Sequence, residues 1–257
     1  MKYAELTSPE LGRLAPDLIA VLPLAAVEQH GNHLPVITDS AIADELSSRI
    51  ENKLPDLVAM LPTLWCGSSH HHKGFPGTLS LRSETYVNVL LDLINSLIDS
   101  GFRHIFLLNC HGGNQTPFAE ALYRLNLAHQ GNDEPWIAGA SYWHLAANEL
   151  GAQTFMDSPR LTHACEYETS LMMALRLDWI KGPGRGDNGH FKSKFVDPLG
   201  YAPSRVVVSR SFHQLSDNGA LGSPENATPE KGRELYDLIV PPIVEFLQEF
   251  ATWKNHD

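Results

Sequence analysis

With 257 residues, 43% hydrophobic and 19% charged, the chain can bury a sizeable core and reads as a single globular domain over 1–257. Its 19 Lys and Arg against 30 Asp and Glu give a net charge of -11, and no basic cluster is dense enough to neutralise a run of phosphates, which argues against nucleic acid as a partner. The opening MKYAELTSPELGRL has no apolar stretch of the kind a secretory signal needs, and no window reaches the ~18 apolar residues of a membrane span, so the expectation is a cytoplasmic protein with no membrane partner.

The apolar run 18–24 predicts a first buried strand, and it leads into Glu28-Gln29-His30-Gly31-Asn32-His33, one carboxylate and two imidazoles within six residues. Residues 40–53 predict a helix with Ile42, Leu46 and Ile50 on one face. A second strand is expected at 57–64, followed by His70-His71-His72. Ser83 suits the N-cap of a helix that buries Val87, Leu90, Leu91, Ile94 and Ile98 and ends at Gly101. Strands at 104–110 and 136–142 and helices at 116–129 and 166–177 continue the alternation. Region 181–216, with Gly182, Gly184, Gly186 and Gly189 around the β-rich 205–210, predicts a long loop carrying a hairpin. Thr228-Pro229-Glu230 opens a C-terminal helix that Pro241-Pro242 is expected to kink or divide. Helical crossovers between apolar strands imply an α/β fold, a mostly parallel central sheet covered on both faces. There is no internal repeat.

The three cysteines Cys66, Cys110 and Cys165 have no Cys-x-x-Cys spacing, so neither a disulfide framework nor a thiolate metal site is expected. Histidine is abundant, at 13, and it clusters where predicted strands end. In open α/β sheets ligands collect at those carboxyl ends. Glu28, His30 and His33 follow the first strand, His70-His72 the second, His111 the third and His144 the fourth. In extended chain Glu28 and His30 point the same way, and a turn at Gly31 and Pro35 brings Asp39 back towards them. Carboxylates with imidazoles suit Zn, Mn, Fe or Ni, whereas Ca and Mg prefer oxygen shells. Glu166 and Glu168 are two apart, cannot share a helical face, and therefore have different jobs. His71 is read as part of a solvated loop, His104 as structural, and Trp65 and Trp143 as pocket walls or core.

Four ordered segments resemble the creatininase, or creatinine amidohydrolase, family: Glu28-Gln29-His30-Gly31-x-His33-Leu34-Pro35 with Thr38-Asp39, Gly74-Phe75-Pro76-Gly77-Thr78-Leu79-Ser80-Leu81, Asn109-x-His111-Gly112-Gly113-Asn114, and His163-Ala164-x-Glu166-x-Glu168-Thr169-Ser170. The resemblance implies a three-layer α/β/α fold, a centre of two divalent metal ions (Zn, Mn or Fe), amide hydrolysis and a homo-oligomer, commonly a hexamer. It places Glu28 and His111 on one metal, His30 on the other and Asp39 between them. In creatininase proper a further carboxylate lies two residues beyond the histidine matching His111, where this chain has Gly113, so either Glu168 or else Glu166 completes the second site, or that site is weaker. A tryptophan that covers creatinine in the true enzyme has no counterpart in 157–162. Relatives of this form act on formamides, on peptide bonds of a redox-cofactor precursor, or on a cyclic keto-inositol.

The expected activity is metal-dependent hydrolysis of a small cyclic amide or other non-peptide C–N bond. His163 is the expected proton shuttle, with Glu166 as its partner, and Thr78, Gly112, Gly113 and Trp143 are the expected substrate contacts. A hydrolase of a cyclic keto-sugar and a non-catalytic metal-binding member of the fold are the alternatives.

Overall fold

The computed structural model describes residues 1–131, 134–188, 191–197 and 205–255. Four parallel strands, β1 (Ile19–Leu24), β2 (Val58–Met60), β3 (His104–Asn109) and β4 (Trp136–Ser141), form one sheet in the order β2-β1-β3-β4. Eight helices accompany them among the described residues: α1 (Ser8–Leu14), α2 (Thr38–Lys53), α3 (Ser83–Asp99), α4 (Gln115–Ala128), α5 (Tyr142–Leu145), α6 (Ala147–Ala152), α7 (Glu166–Arg176) and α8 (Pro229–Phe250).

Every residue of β1 is buried, as a central parallel strand requires, and its side chains alternate between two cores. Ile19 and Val21 join Phe106 and Leu108 under α2, α7 and α8, with Ile42, Leu46, Ile239 and Leu247 closing that layer. Ala20 and Leu22 join Ile105 and Leu107 under α3 and α4, with Leu90, Ile94, Phe118 and Leu125 on the other side. The result is the three-layer arrangement expected from the alternation. Each fully buried Leu or Ile contributes roughly 1.5–3 kcal/mol of transfer free energy. The register pairs Leu24 with Asn109 and Asn109 with Ser141, so three strands finish at one level and release their loops over the same edge.

The larger differences from the expected elements have physical reasons. The second strand keeps only Val58–Met60, because Pro62 interrupts it and Leu64 returns as an isolated bridge to Leu24. Pro241 and Pro242 lie inside α8 without dividing it: they sit off the buried face, while Leu235, Tyr236, Ile239, Ile243 and Leu247 on either side anchor the helix. The stretch 205–210 forms no strand, the Arg205 N–H donates to Phe195 O at 2.8 Å, and part of the predicted hairpin, with Gly189, falls outside the described residues. Ser83 is the first helical residue of α3 and Arg82 takes the cap position.

Gly232 sets the closeness of α7 and α8, since a methyl group there would overlap the Ser170 carbonyl oxygen, a backbone atom. Gly232→Ala is expected to destabilise the fold by about 1–3 kcal/mol, as overpacking does. A denaturation midpoint equal to that of the unmodified protein would show that the two helices part without cost.

Candidate metal centre

The chain leaving β1 stays buried through Ala25, Ala26, Val27, Glu28, Gln29 and His30. Glu28 N–H donates to Val36 O at 2.9 Å, closing the loop, and Leu79 N–H donates to Val27 O at 2.9 Å, tying it to a distant segment. Gly31 supplies the positive φ of 65° that reverses the chain. Asp39 then lies in the first turn of α2, which begins two residues earlier than its apolar period suggests. Beyond β3, Asn109 Nδ2 donates to His111 O at 2.8 Å and to Ser141 Oγ at 2.9 Å, fixing the loop that carries His111. Before α7, Ala164 adopts a left-handed φ of 49°, and its N–H donates to the Glu168 carboxylate.

These elements bring Glu28, His30, Asp39, His111, His163 and Glu168 together in the interior. His30 Nε2 lies 3.1 Å from Asp39 Oδ1 and 3.8 Å from Glu168 Oε2. His111 contacts both other carboxylates, with Nδ1 3.1 Å from Asp39 Oδ2 and Nε2 3.3 Å from Glu28 Oε2. His163 Nδ1 stands 3.6 Å from Glu28 Oε1. Three overlapping sets, Glu28-Asp39-His111, His30-His163-Glu168 and Glu28-His72-His163, each keep their ligand atoms within 4.8 Å of one another.

Glu28 Oε2, His30 Nε2 and Asp39 Oδ2 are fully buried yet make no hydrogen bond. Such orphaned atoms are costly unless something else satisfies them. Close approach without hydrogen-bond alignment is what ligands of one cation show: two atoms each about 2.1 Å from a tetrahedral ion lie roughly 3.4 Å apart. The donor set therefore fits divalent metal.

The local field favours positive charge. Burial pulls the His30 imidazole down, but Asp39, Glu168 and Glu28 outweigh it and push it up to about 10. Asp39, despite its burial, is held well below the usual carboxylate range by His30 and His111. Burial raises Glu168 to about 7, with Asp39 and Glu28 adding to it against His30. His163 and His72 are pushed well below the ordinary imidazole range by burial and by neighbouring imidazoles, so both are neutral, the form that ligates metal or accepts a proton.

Other expected site residues lie elsewhere. Glu166 is fully buried away from the cluster, accepting from Asp157 N–H, from Ser158 N–H at 2.7 Å and from Lys231 Nζ at 2.6 Å, so its carboxylate braces the loop before α7 and cannot partner His163. His33 Nε2 bonds Thr169 Oγ1 at 2.9 Å outside the cluster. Thr78 Oγ1 accepts from Gln29 N–H at 3.2 Å and holds the loop rather than facing the cavity. Gly112 lines the cavity, whereas Gly113 is backed against the Ser68 carbonyl and the His111 ring, leaving no room for a side chain. The carboxylate that the resemblance places at that position in creatininase proper has no room here. His104 Nε2 caps Trp253 O at 3.0 Å, a structural role. Burial raises Cys110 well above the ordinary thiol range and Cys165 to about 11, so neither is a thiolate.

Two residues outside the expected ligand set also contribute. His72, in the short 3-10 turn His70–His72, sets Nε2 3.2 Å from Glu28 Oε1. Gln29 reaches His72 Nδ1 at 2.7 Å and His163 Nε2 at 3.0 Å, and its backbone carbonyl lies 2.8 Å from His163 Nε2. His71, expected in solvent, faces the cavity instead. The cavity above the cluster measures about 420 Å³ and shares Trp143, His144 and Leu161 with an adjoining one of about 610 Å³. Trp65 lies outside both, half exposed.

The family described as creatininase, creatinine amidohydrolase, matches residues 4–247. The chain belongs to the creatininase family. It is 27% identical to creatinine amidohydrolase of Pseudomonas putida over 246 residues, 91% of this chain and 90% of that one. It is 32% identical to the mycofactocin precursor peptide peptidase of Mycolicibacterium smegmatis over 254 residues, 97% and 91% of the two chains. It is also 32% identical to 3-dehydro-scyllo-inosose hydrolase of Thermotoga maritima, covering 93% and 80%. A solved creatininase superimposes with a TM-score of 0.74 at 25% identity over 97% of both chains, and solved creatininases include a zinc-zinc form and a manganese form. The family makes this chain a hydrolase, with an α/β fold shared with those neighbours.

Because Glu166 belongs to the scaffold, Glu166→Gln is expected to leave metal content unchanged while lowering stability by about 1–3 kcal/mol. Loss of bound metal in that variant, measured by elemental analysis of folded protein, would return Glu166 to the site.

Proposed function

We propose that the chain is a metal-dependent amidohydrolase that cleaves a small cyclic amide or another non-peptide C–N bond at the cluster. The observation that carries this is the set of buried, hydrogen-bond-free ligand atoms on Glu28, His30 and Asp39 beneath an open cavity. Two divalent ions, zinc, manganese or iron, would be held by Glu28 and His111 on one side and by His30 and Glu168 on the other, with Asp39 between. When bound, such ions supply an acidified water and polarise the scissile carbonyl.

The chain's own residues do the rest. His163 Nε2 sits on the Gln29 carbonyl, so that nitrogen carries the proton and donates to it, leaving the Nδ1 lone pair facing the cluster. Nδ1 takes the proton released when water adds to the carbonyl carbon and returns it to the nitrogen as the C–N bond breaks, giving acid and amine. The Gln29 backbone carbonyl, accepting from Nε2–H at 2.8 Å, fixes the ring for both transfers, and Phe212 packs against its edge. Glu166 has no part in this relay.

A second reading, hydrolysis of a cyclic keto-sugar, is supported by the 32% identity to the Thermotoga maritima inosose hydrolase and uses the same carbonyl-polarising centre. The protein is further proposed to work as a cytoplasmic homo-oligomer, a hexamer by its family resemblance, on a small-molecule substrate. Among the described residues no helix is long and apolar enough to cross a membrane.

Screening metal-loaded protein against cyclic amides, formamides and ring ketones identifies the reaction. Asp39→Ala is then expected to lose metal and turnover together, while His163→Ala keeps metal and loses about 10²–10⁴-fold in kcat. Normal turnover by Asp39→Ala contradicts the assignment of the centre.

A further inference from the structure

Arg210 lines the same cavity as the cluster, from the segment that crosses above it. Two residues later, Phe212 stacks on His72, with ring centroids 3.9 Å apart and planes 24° from parallel, and meets His163 edge-on at 4.6 Å. The intervening Ser211 is extended, at φ -104° and ψ 159°, so Arg210 and Phe212 project to the same side. Arg210 is therefore pinned over the cluster by a ring already packed on its histidines.

Its Nη1 is buried and has no hydrogen-bond partner among the described residues. Burial lowers the guanidinium's pKa while Asp197 nearby opposes the change, yet a guanidinium keeps its charge in proteins. A buried charged donor left unsatisfied is costly, and the cost is recovered when an anion enters. No other Lys or Arg lines this cavity among the described residues. Two divalent ions would outweigh the charge of Glu28, Asp39 and Glu168, leaving a floor that also favours an anion. The planar fork of arginine matches a carboxylate bidentately.

We propose that Arg210 binds a carboxylate of the substrate, so that the preferred substrate is an anionic amide rather than a neutral ring. This rests on the amidohydrolase reading for the reaction, though not for the binding.

Metal-loaded protein would be assayed for C–N cleavage on matched pairs: 5-oxoproline and 5-oxoprolinamide, hydantoin-5-acetate and hydantoin-5-acetamide, N-formylglycine and N-formylglycinamide. The acids are expected to exceed their neutral partners about tenfold in kcat/KM, the size of a charge-assisted pair. In Arg210→Gln that ratio falls to about 1 through a higher KM for the acids, and Arg210→Lys keeps part of it. A ratio near 1 in the unmodified protein overturns the proposal, as does a preference unmoved by Arg210→Gln, which would mean that the ions hold the carboxylate. If no pair is hydrolysed, the amidohydrolase reading fails separately, and calorimetric titration of the same pairs decides for Arg210. A roughly tenfold tighter acid that loses its advantage in Arg210→Gln supports the site; equal binding of acid and neutral partner overturns it.

Discussion

Three carboxylates, Glu28, Asp39 and Glu168, are buried around the imidazoles His30 and His111, and like charges at that depth cannot coexist without cations or protons to offset them. The rest of the structure is arranged around that requirement. The sheet register ends β1, β3 and β4 at one level, so loops from different strands converge. The turn at Gly31 returns Asp39, and the left-handed Ala164 lets the chain present both His163 and Glu168. Such strain persists only where surrounding packing over-determines it, and α7 clamped on α8 provides that packing.

Legibility in the sequence follows the range of the interactions. Apolar runs mark where β1 and β3 lie, and the loops after them must leave at the sheet edge, so Glu28, His30, Asp39 and His111 group together from sequence alone. Glu166 and Glu168 take different jobs because helical neighbours two apart diverge, but which one faces the cluster depends on Lys231, 65 positions further on. His72 is hidden because a histidine triplet reads as extended chain, whereas a 3-10 turn aims the third ring inward and leaves the first exposed. The proline pair fails as a breaker because burial on both sides of it outweighs two missing backbone donors.

The same geometry bears on how one family serves several reactions. Its relatives here are named as a creatinine amidohydrolase, a precursor-peptide peptidase and an inosose hydrolase. The clustered side chains come from strand ends and α7, which belong to the scaffold, while Arg210 and Phe212 come from a loop and the short 3-10 turn Phe212–Gln214 that follows it. Chemistry held by the sheet and selectivity held by a loop can vary independently. Gly113 adds a constraint: with the Ser68 carbonyl behind it, no side chain fits there, and Glu168 is the carboxylate that stands near His30 from α7.

The most direct test is anomalous scattering from crystals of the full chain grown with zinc and measured at the zinc edge. About two peaks enclosed by Glu28, His30, Asp39, His111 and Glu168 are expected, within the short distances that carboxylate and imidazole ligation allows. Well-ordered density for those side chains with no peak among them, or zinc bound only elsewhere, would contradict the account.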